Sequence, residues 1–216
     1  MPASLGKKPA SGVRVSAATR RKPRQSRARV SSEALQEAFV RVLMERGYAG
    51  VTIREVAAVA GVGVGTFYEY VANKQALAAL TIHMRVKRLA QAMSEYVQAH
   101  QGEPMLVLVQ GLIDEQLGQV MDEGAVWAAL FMLERQVSSP DAYRKHYDQF
   151  VALWAQALSV SAQAPEPERV PMVARMVHTM VYGWVTQSLL TQGPELDRAA
   201  LHAEVKRAVG AYLAAL

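Results

Sequence analysis

Arg54, Thr66, Tyr68, Tyr70 and Lys74 put a guanidinium, an ammonium and three hydroxyls into one short stretch of the chain. Such groups donate to phosphate oxygens and to base edges, and the threonine can also touch a thymine methyl. These contacts have value only if the side chains share one outward face, so the elements that carry them come next. Thr52 followed three residues later by Glu55 is a capping-box pattern: the hydroxyl takes an orphan N–H of the first turn and the glutamate returns to the threonine N–H. The spacing predicts a helix through Ile53, Val56, Ala57 and Ala60, closed by Gly61, the residue best suited to a left-handed end. After the turn Gly61-Val62-Gly63, a second helix from Val64 to Tyr70 sends Phe67 inward. Val64, Gly65, Thr66, Tyr68 and Tyr70 are left towards the outside. Small Ala57, turn residue Gly61 and apolar Phe67 meet the packing needs of a helix-turn-helix, although the spacing alone also fits other helical hairpins.

Over residues 31 to 77 the chain resembles the tetracycline-repressor (TetR) family of bacterial transcriptional regulators. The resemblance is carried by Gly47-Tyr48, Thr52-Ile53-Arg54, Val56-Ala57, Ala60-Gly61-Val62, Gly65-Thr66-Phe67-Tyr68, Tyr70, Asn73-Lys74 and Leu77. One departure is Gly63, where the family usually has a capping serine; glycine is a serviceable N-cap at a cost of a few tenths of a kcal/mol. The resemblance implies DNA contacts at Arg54, Val64, Gly65, Thr66, Tyr68, Tyr70 and Lys74. Lys74, one residue past the Asn73 cap, could present its ammonium and the helix N–H groups to one phosphate. Val64 offers apolar contact only, and for Tyr68 a place in the core is the alternative to base contact. With no Arg, Asn or Gln on the second helix, bidentate base pairings are missing from it. Specificity then leans on shape, methyl contacts and the N-terminal arm.

The net charge of +5 conceals an asymmetry. Residues 1–30 hold nine Lys or Arg and no acid, while the remaining 186 hold 15 bases against 19 acids. A segment of that composition is expected to be disordered when free and to collapse onto polyanions. Arg24, Arg27 and Arg29, next to the first helix, are its candidate DNA contacts; a solvated tail is the alternative. The chain has no cysteine, no secretory leader pattern and no apolar run long enough for a bilayer, which makes the cytoplasm the default.

Helical periodicity extends throughout, with no competing strand pattern. The expected architecture is all-α, about nine helices: a basic arm (1–30), a three-helix DNA-binding unit (31–77) and a larger helical effector-binding and dimerisation domain (78–216). Ser31 or Ser32 would cap the first helix, which would end at Gly47. Asn73 would cap a link helix to about Ala99, with five further helices at 104–122, 125–137, 140–161, 168–191 and 195–215. The body is rich in methionine and aromatic side chains, which suit irregular apolar ligands but are commoner as plain core. Trp127, Phe131, Phe150, Trp154, Met176 and Met180 are the candidate walls of a pocket for a small, mostly apolar effector. By resemblance, the last two helices pair with their copies in a homodimer, for which Val181, Trp184, Val185, Val205, Val209 and Tyr212 are the candidate contacts.

Together these features point to a DNA-binding regulator, a repressor by the family's usual mode, acting on a palindromic double-stranded operator. An architectural DNA-coating protein is the alternative. Enzyme chemistry finds no support. The five histidines are scattered without H-x-x-x-H spacing, there is no G-x-S-x-G elbow or P-loop, and Gly61-Val62-Gly63-Val64-Gly65 lacks dinucleotide spacing. No cofactor or metal is expected.

Overall fold

The computed structural model describes residues 23–216, and among them every regular element is helical. In chain order these are α1 (Pro23–Gly50), α2 (Ile53–Val59), α3 (Val64–Tyr70), α4 (Lys74–Ala99), α5 (Met105–Asp122), α6 (Gly124–Val137), α7 (Pro140–Ser159), α8 (Val170–Thr191) and α9 (Arg198–Ala214). A single 3-10 turn, Gly193–Glu195, precedes α9.

Polar side chains start four of these helices, α2, α4, α7 and α9. Thr52 Oγ1 accepts the Glu55 N–H at 3.3 Å, Asn73 Oδ1 the Ala76 N–H at 2.8 Å, Ser139 Oγ the Ala142 N–H at 3.2 Å and Asp197 Oδ1 the Ala200 N–H at 2.9 Å. Glu55 completes only half of the expected capping box, because its carboxylate is held by the Arg46 guanidinium at 2.6 Å; that bond ties α2 to α1 instead. At the other end of α2, Gly61 has φ 68°, and the Val62 and Gly61 N–H groups return to the Ala57 and Ala58 carbonyls. This is the Schellman closure that only a left-handed residue permits.

The first helix departs from expectation. It begins at Pro23 and not at Ser31 or Ser32, which lie in its interior with the Gln36 amide bonded to the Ser32 carbonyl and hydroxyl. Proline is at home in a first turn, and Gln25 to Val30 contain no residue that breaks a helix. Residues 23–30, assigned to the arm, are therefore helical and include Arg24, Arg27 and Arg29; the rest of the arm, residues 1–22, lies outside the described residues. The break at Gly47 does occur, at φ 65°.

Phe39, Phe67 and Leu77 are the buried centre of the α1–α4 end, and Met93, Leu108, Leu112, Trp154 and Leu158 are fully buried in the body, in one continuous core. α4 packs against α1 at one end and against α5, α6 and α7 further along, so it crosses the boundary expected after residue 77 as one unbroken helix. α7 lies along α8, and α9 packs on α5 and α8.

Candidate nucleic-acid interface and effector cavity

The α2–α3 pair is locked from beneath by Phe67, which is wholly buried, with Val56 and Ala57 closing the angle. That leaves the opposite side of α3 in solvent. Val64 is exposed, as are Arg54 and Gly65, and Tyr68 is 56% exposed, which decides against a core role for it. Thr66 and Tyr70 are half-buried, Tyr70 packing against the core. Apart from chain neighbours and the helix's own backbone, nothing stands within 4 Å of where a Cβ would project from Gly63 or Gly65, so the surface at the start of α3 is open and low.

Lys74 is engaged inside the protein. Its ammonium donates to the Tyr48 carbonyl at 3.0 Å and rests 4.5 Å from the centre of the Tyr48 ring, and the residue is half-buried. It fastens the end of α1 to the start of α4, and one of its three donors is spent on the Tyr48 carbonyl.

Further along, α4 forms part of a second feature. Val86 and Leu89 line a cavity in the body with Trp127, Phe131, Phe150, Gln116, Glu134, His146, His178 and Tyr182, among others. The empty space, mouth included, is about 660 Å3, of which about 60 Å3 admits the centre of a water molecule. It is a narrow slot. His178 is stacked on Phe150, with ring centres 5.7 Å apart and planes within 4°, and meets Tyr147 edge-on at 5.1 Å. Burial drives the His178 imidazole down to about 4, so it is neutral, and burial with a hydrogen bond to Tyr143 pushes the Tyr182 phenol well up. Glu134 and His146 are both buried, and the His146 Nδ1 to Glu134 Oε1 distance is 3.0 Å. His146 Nε2 in turn lies 3.2 Å from Nδ1 of His83 on α4, an exposed residue whose imidazole is held below its usual range by desolvation and by the His146, Lys87 and Lys145 charges. A carboxylate only accepts, so His146 donates to Glu134 through Nδ1, while the proton between its Nε2 and His83 Nδ1 belongs to one ring or the other according to tautomer.

Of the residues chosen from sequence for the cavity, Trp127, Phe131 and Phe150 line it. Trp154 is completely buried in the core away from the wall, Met180 packs against the core, and Met176 is exposed on the outer side of α8. Sequence reasoning missed Gln116, Glu134, His146, His178, Tyr182 and Thr186. A signal was there: Gln116 and His178 interrupt apolar helix faces at inward positions. The expected dimer contacts divide similarly. Val181, Val185, Val205 and Val209 are buried in the protomer's own core because that side of α8 and α9 faces α5, α6 and α7. Trp184 is exposed and Tyr212 half-buried. The large hydrophobic side chains that α8 leaves in solvent are Met172, Met176 and Trp184.

Two family models match. Residues 35–80 match "Bacterial regulatory proteins, tetR family", and residues 104–213 match "Tetracyclin repressor-like, C-terminal domain". The chain belongs to the TetR family. Solved TetR-family structures share the fold. A transcriptional regulator from Mesorhizobium loti has a TM-score of 0.72 at 17% identity, covering 88% of this chain and 98% of that one. FadR from Bacillus subtilis, solved in complex with stearoyl-CoA, has a TM-score of 0.64 at 17% identity over 82% and 96% of the two chains. A Rhodococcus regulator has a TM-score of 0.66 at 21% identity over 86% and 97%. Comparison with curated protein sequences finds no match. This TetR-family chain is thus a transcriptional regulator with a helix-turn-helix unit and a ligand-binding type of C-terminal domain. Among its described residues no helix is long and apolar enough to cross a membrane, and no cluster of His, Asp or Glu is placed to hold a metal.

Proposed function

We propose that the protein is a repressor that binds a palindromic operator as a homodimer in the cytoplasm and leaves it when a small, mostly apolar effector enters the body cavity. The observation that supports this most is the double attachment of α4. Lys74 at its start is bonded to Tyr48 in the DNA-binding unit, and Val86 and Leu89 further along form part of the cavity wall. A ligand that widens the slot presses on α4 among its walls, and a shift of α4 would carry with it the unit that bears α3. This is allosteric in the strict sense if the ligand favours the released geometry over the DNA-ready one.

Two considerations support dimerisation. A single helix-turn-helix reaches few base edges, and two-fold pairing sets two recognition helices one DNA turn apart. Met172, Met176 and Trp184, with the small residues Ala203 and Ala211 exposed on α9, give the last two helices an outer face suited to a second copy. Stearoyl-CoA, held in the Bacillus subtilis FadR structure, is not carried over to this chain. The groove adjoining the cavity, sharing Leu89 and Trp127 with it, sets Arg85 and Arg88 against Glu37 and Glu123, and Glu123 already clamps Arg85. It has no surplus positive charge for a polyanionic head group.

The test is binding of the purified protein to DNA flanking its own gene, with and without apolar compounds. A protected palindrome that is lost on adding a compound is the expected result; uniform coating of any duplex would mark an architectural protein instead.

A further inference from the structure

The cavity is apolar over most of its wall, but Gln116 Oε1 and His178 Nδ1 on that wall have no protein partner, and their residues are 6% and 3% exposed. Thr186 Oγ1, also on the wall, has the Tyr182 hydroxyl beside it. A buried polar group left without a hydrogen bond costs about 1–3 kcal/mol, and two of them on one cavity wall mark where a ligand's polar group would be accepted. Charge narrows the class further. None of the 16 lining residues is Lys or Arg, so nothing on the wall compensates an anion. The one carboxylate, that of Glu134, is already bonded to His146. The dryness that keeps His178 neutral also penalises a ligand cation beside it.

We infer that the effector is an uncharged molecule with a flat or slender apolar body and at least one hydroxyl, which donates to Gln116 Oε1 or shares a hydrogen bond with His178 Nδ1. This rests on the cavity being the effector site. A hydroxyl suits both atoms: the glutamine oxygen only accepts, whereas a neutral imidazole nitrogen donates or accepts according to its tautomer. The narrow slot and the stacked rings around it favour a planar body, seated against Trp127, Phe131 and Phe150.

The experiment is calorimetric titration of the full-length protein near neutral pH with two matched series of probes. One is 2-naphthol, naphthalene, 2-naphthoate and 2-naphthylmethylamine; the other is 1-octanol, octanoate and octylamine. In each series the hydroxyl compound binds about tenfold or more tightly than its partners, because a site built to hydrogen-bond a hydroxyl rejects the analogue without it. In Gln116→Leu and His178→Phe, whose folding is checked by thermal melting, that preference shrinks towards unity while naphthalene still binds. Tighter binding of the carboxylates or amines overturns the charge assignment. Equal binding of naphthalene and 2-naphthol, or an unaltered preference in both variants, overturns the hydroxyl assignment while the cavity remains an effector site. Absence of binding by all seven probes removes the cavity itself from the mechanism, and the inference with it.

Discussion

Thr66 and Lys74 differ in how free their polar atoms are to meet a duplex. Thr66 sits on the outward half of α3 with its hydroxyl directed to no internal anchor, and Lys74 is tied to Tyr48. Thr66→Ala is expected to change base preference at one operator position by about 1 kcal/mol or more with little effect on melting. Lys74→Ala is expected to weaken all duplexes alike and also to lower the melting temperature, since the Tyr48 carbonyl loses its donor. Fluorescence-anisotropy titrations on a set of single-base operator variants, beside thermal melts, separate the two. At His178 the prediction concerns pH. Its folded-state pKa, lowered by burial to about 4, lies below the ordinary 6.5. Between those values the unfolded chain binds a proton that the folded one refuses, so stability is complete above about 6.5 and is lost as pH falls towards 4. The loss is on the order of 3 kcal/mol. Urea unfolding at several pH values should show that decline in the native protein and a shallower one in His178→Phe, which keeps the stack on Phe150 without the titrating group. Equal slopes would mean that His178 is solvated.

Among the elements, α4 carries the coupling. It meets the cavity twice: through Val86 and Leu89 on the wall, and through His83, whose bond to His146 continues to Glu134. That array joins α4, α7 and α6 at the level of the cavity. His83 is exposed, so water can take its place beside His146 Nε2, and His83→Ala should lower the melting temperature only slightly. It removes the polar link between α4 and the buried pair. The expected phenotype is an effector affinity close to that of the native protein with a several-fold weaker effect of the effector on operator binding. A variant released from DNA as readily as the native protein would show that apolar contact at Val86 and Leu89 is enough.

For the whole molecule, the matter is symmetry and charge. Met176 lies on the exposed side of α8, where the proposed partner copy would cover it. Met176→Glu would place a charge in that interface without touching the protomer core; sedimentation should report a monomer with native helicity, and operator affinity should drop by at least tenfold as bivalence is lost. If the variant sediments like the native protein, the dimer face lies elsewhere. Removing residues 2–22 takes away six of the nine arm bases and leaves α1 intact. The slope of log K against log salt should become shallower by ~0.9 for every phosphate that those bases neutralise. An unchanged slope would make those residues bystanders.

Local chemistry was enough to read the helix-turn-helix. Thr52, Gly61, Phe67 and Asn73 act within a few residues of themselves, through caps, a left-handed turn and an apolar plug, and the structure places each as its type demands. The same holds for the turns that punctuate the body, where Ser139-Pro140 and Gly193-Pro194 leave the chain little choice. Which side of a long helix faces a neighbour, a cavity or a second copy was beyond that reach. On α8 both Val181 and Met176 belong to apolar runs of the same sequence, yet the first is in the core and the second in solvent. Burial there depends on where α5, α6, α7 and α9 come to lie, and no periodicity in α8 records it. The bond from His83 to His146 spans 63 positions of sequence; only the packing of α4 against α7 brings the two rings together.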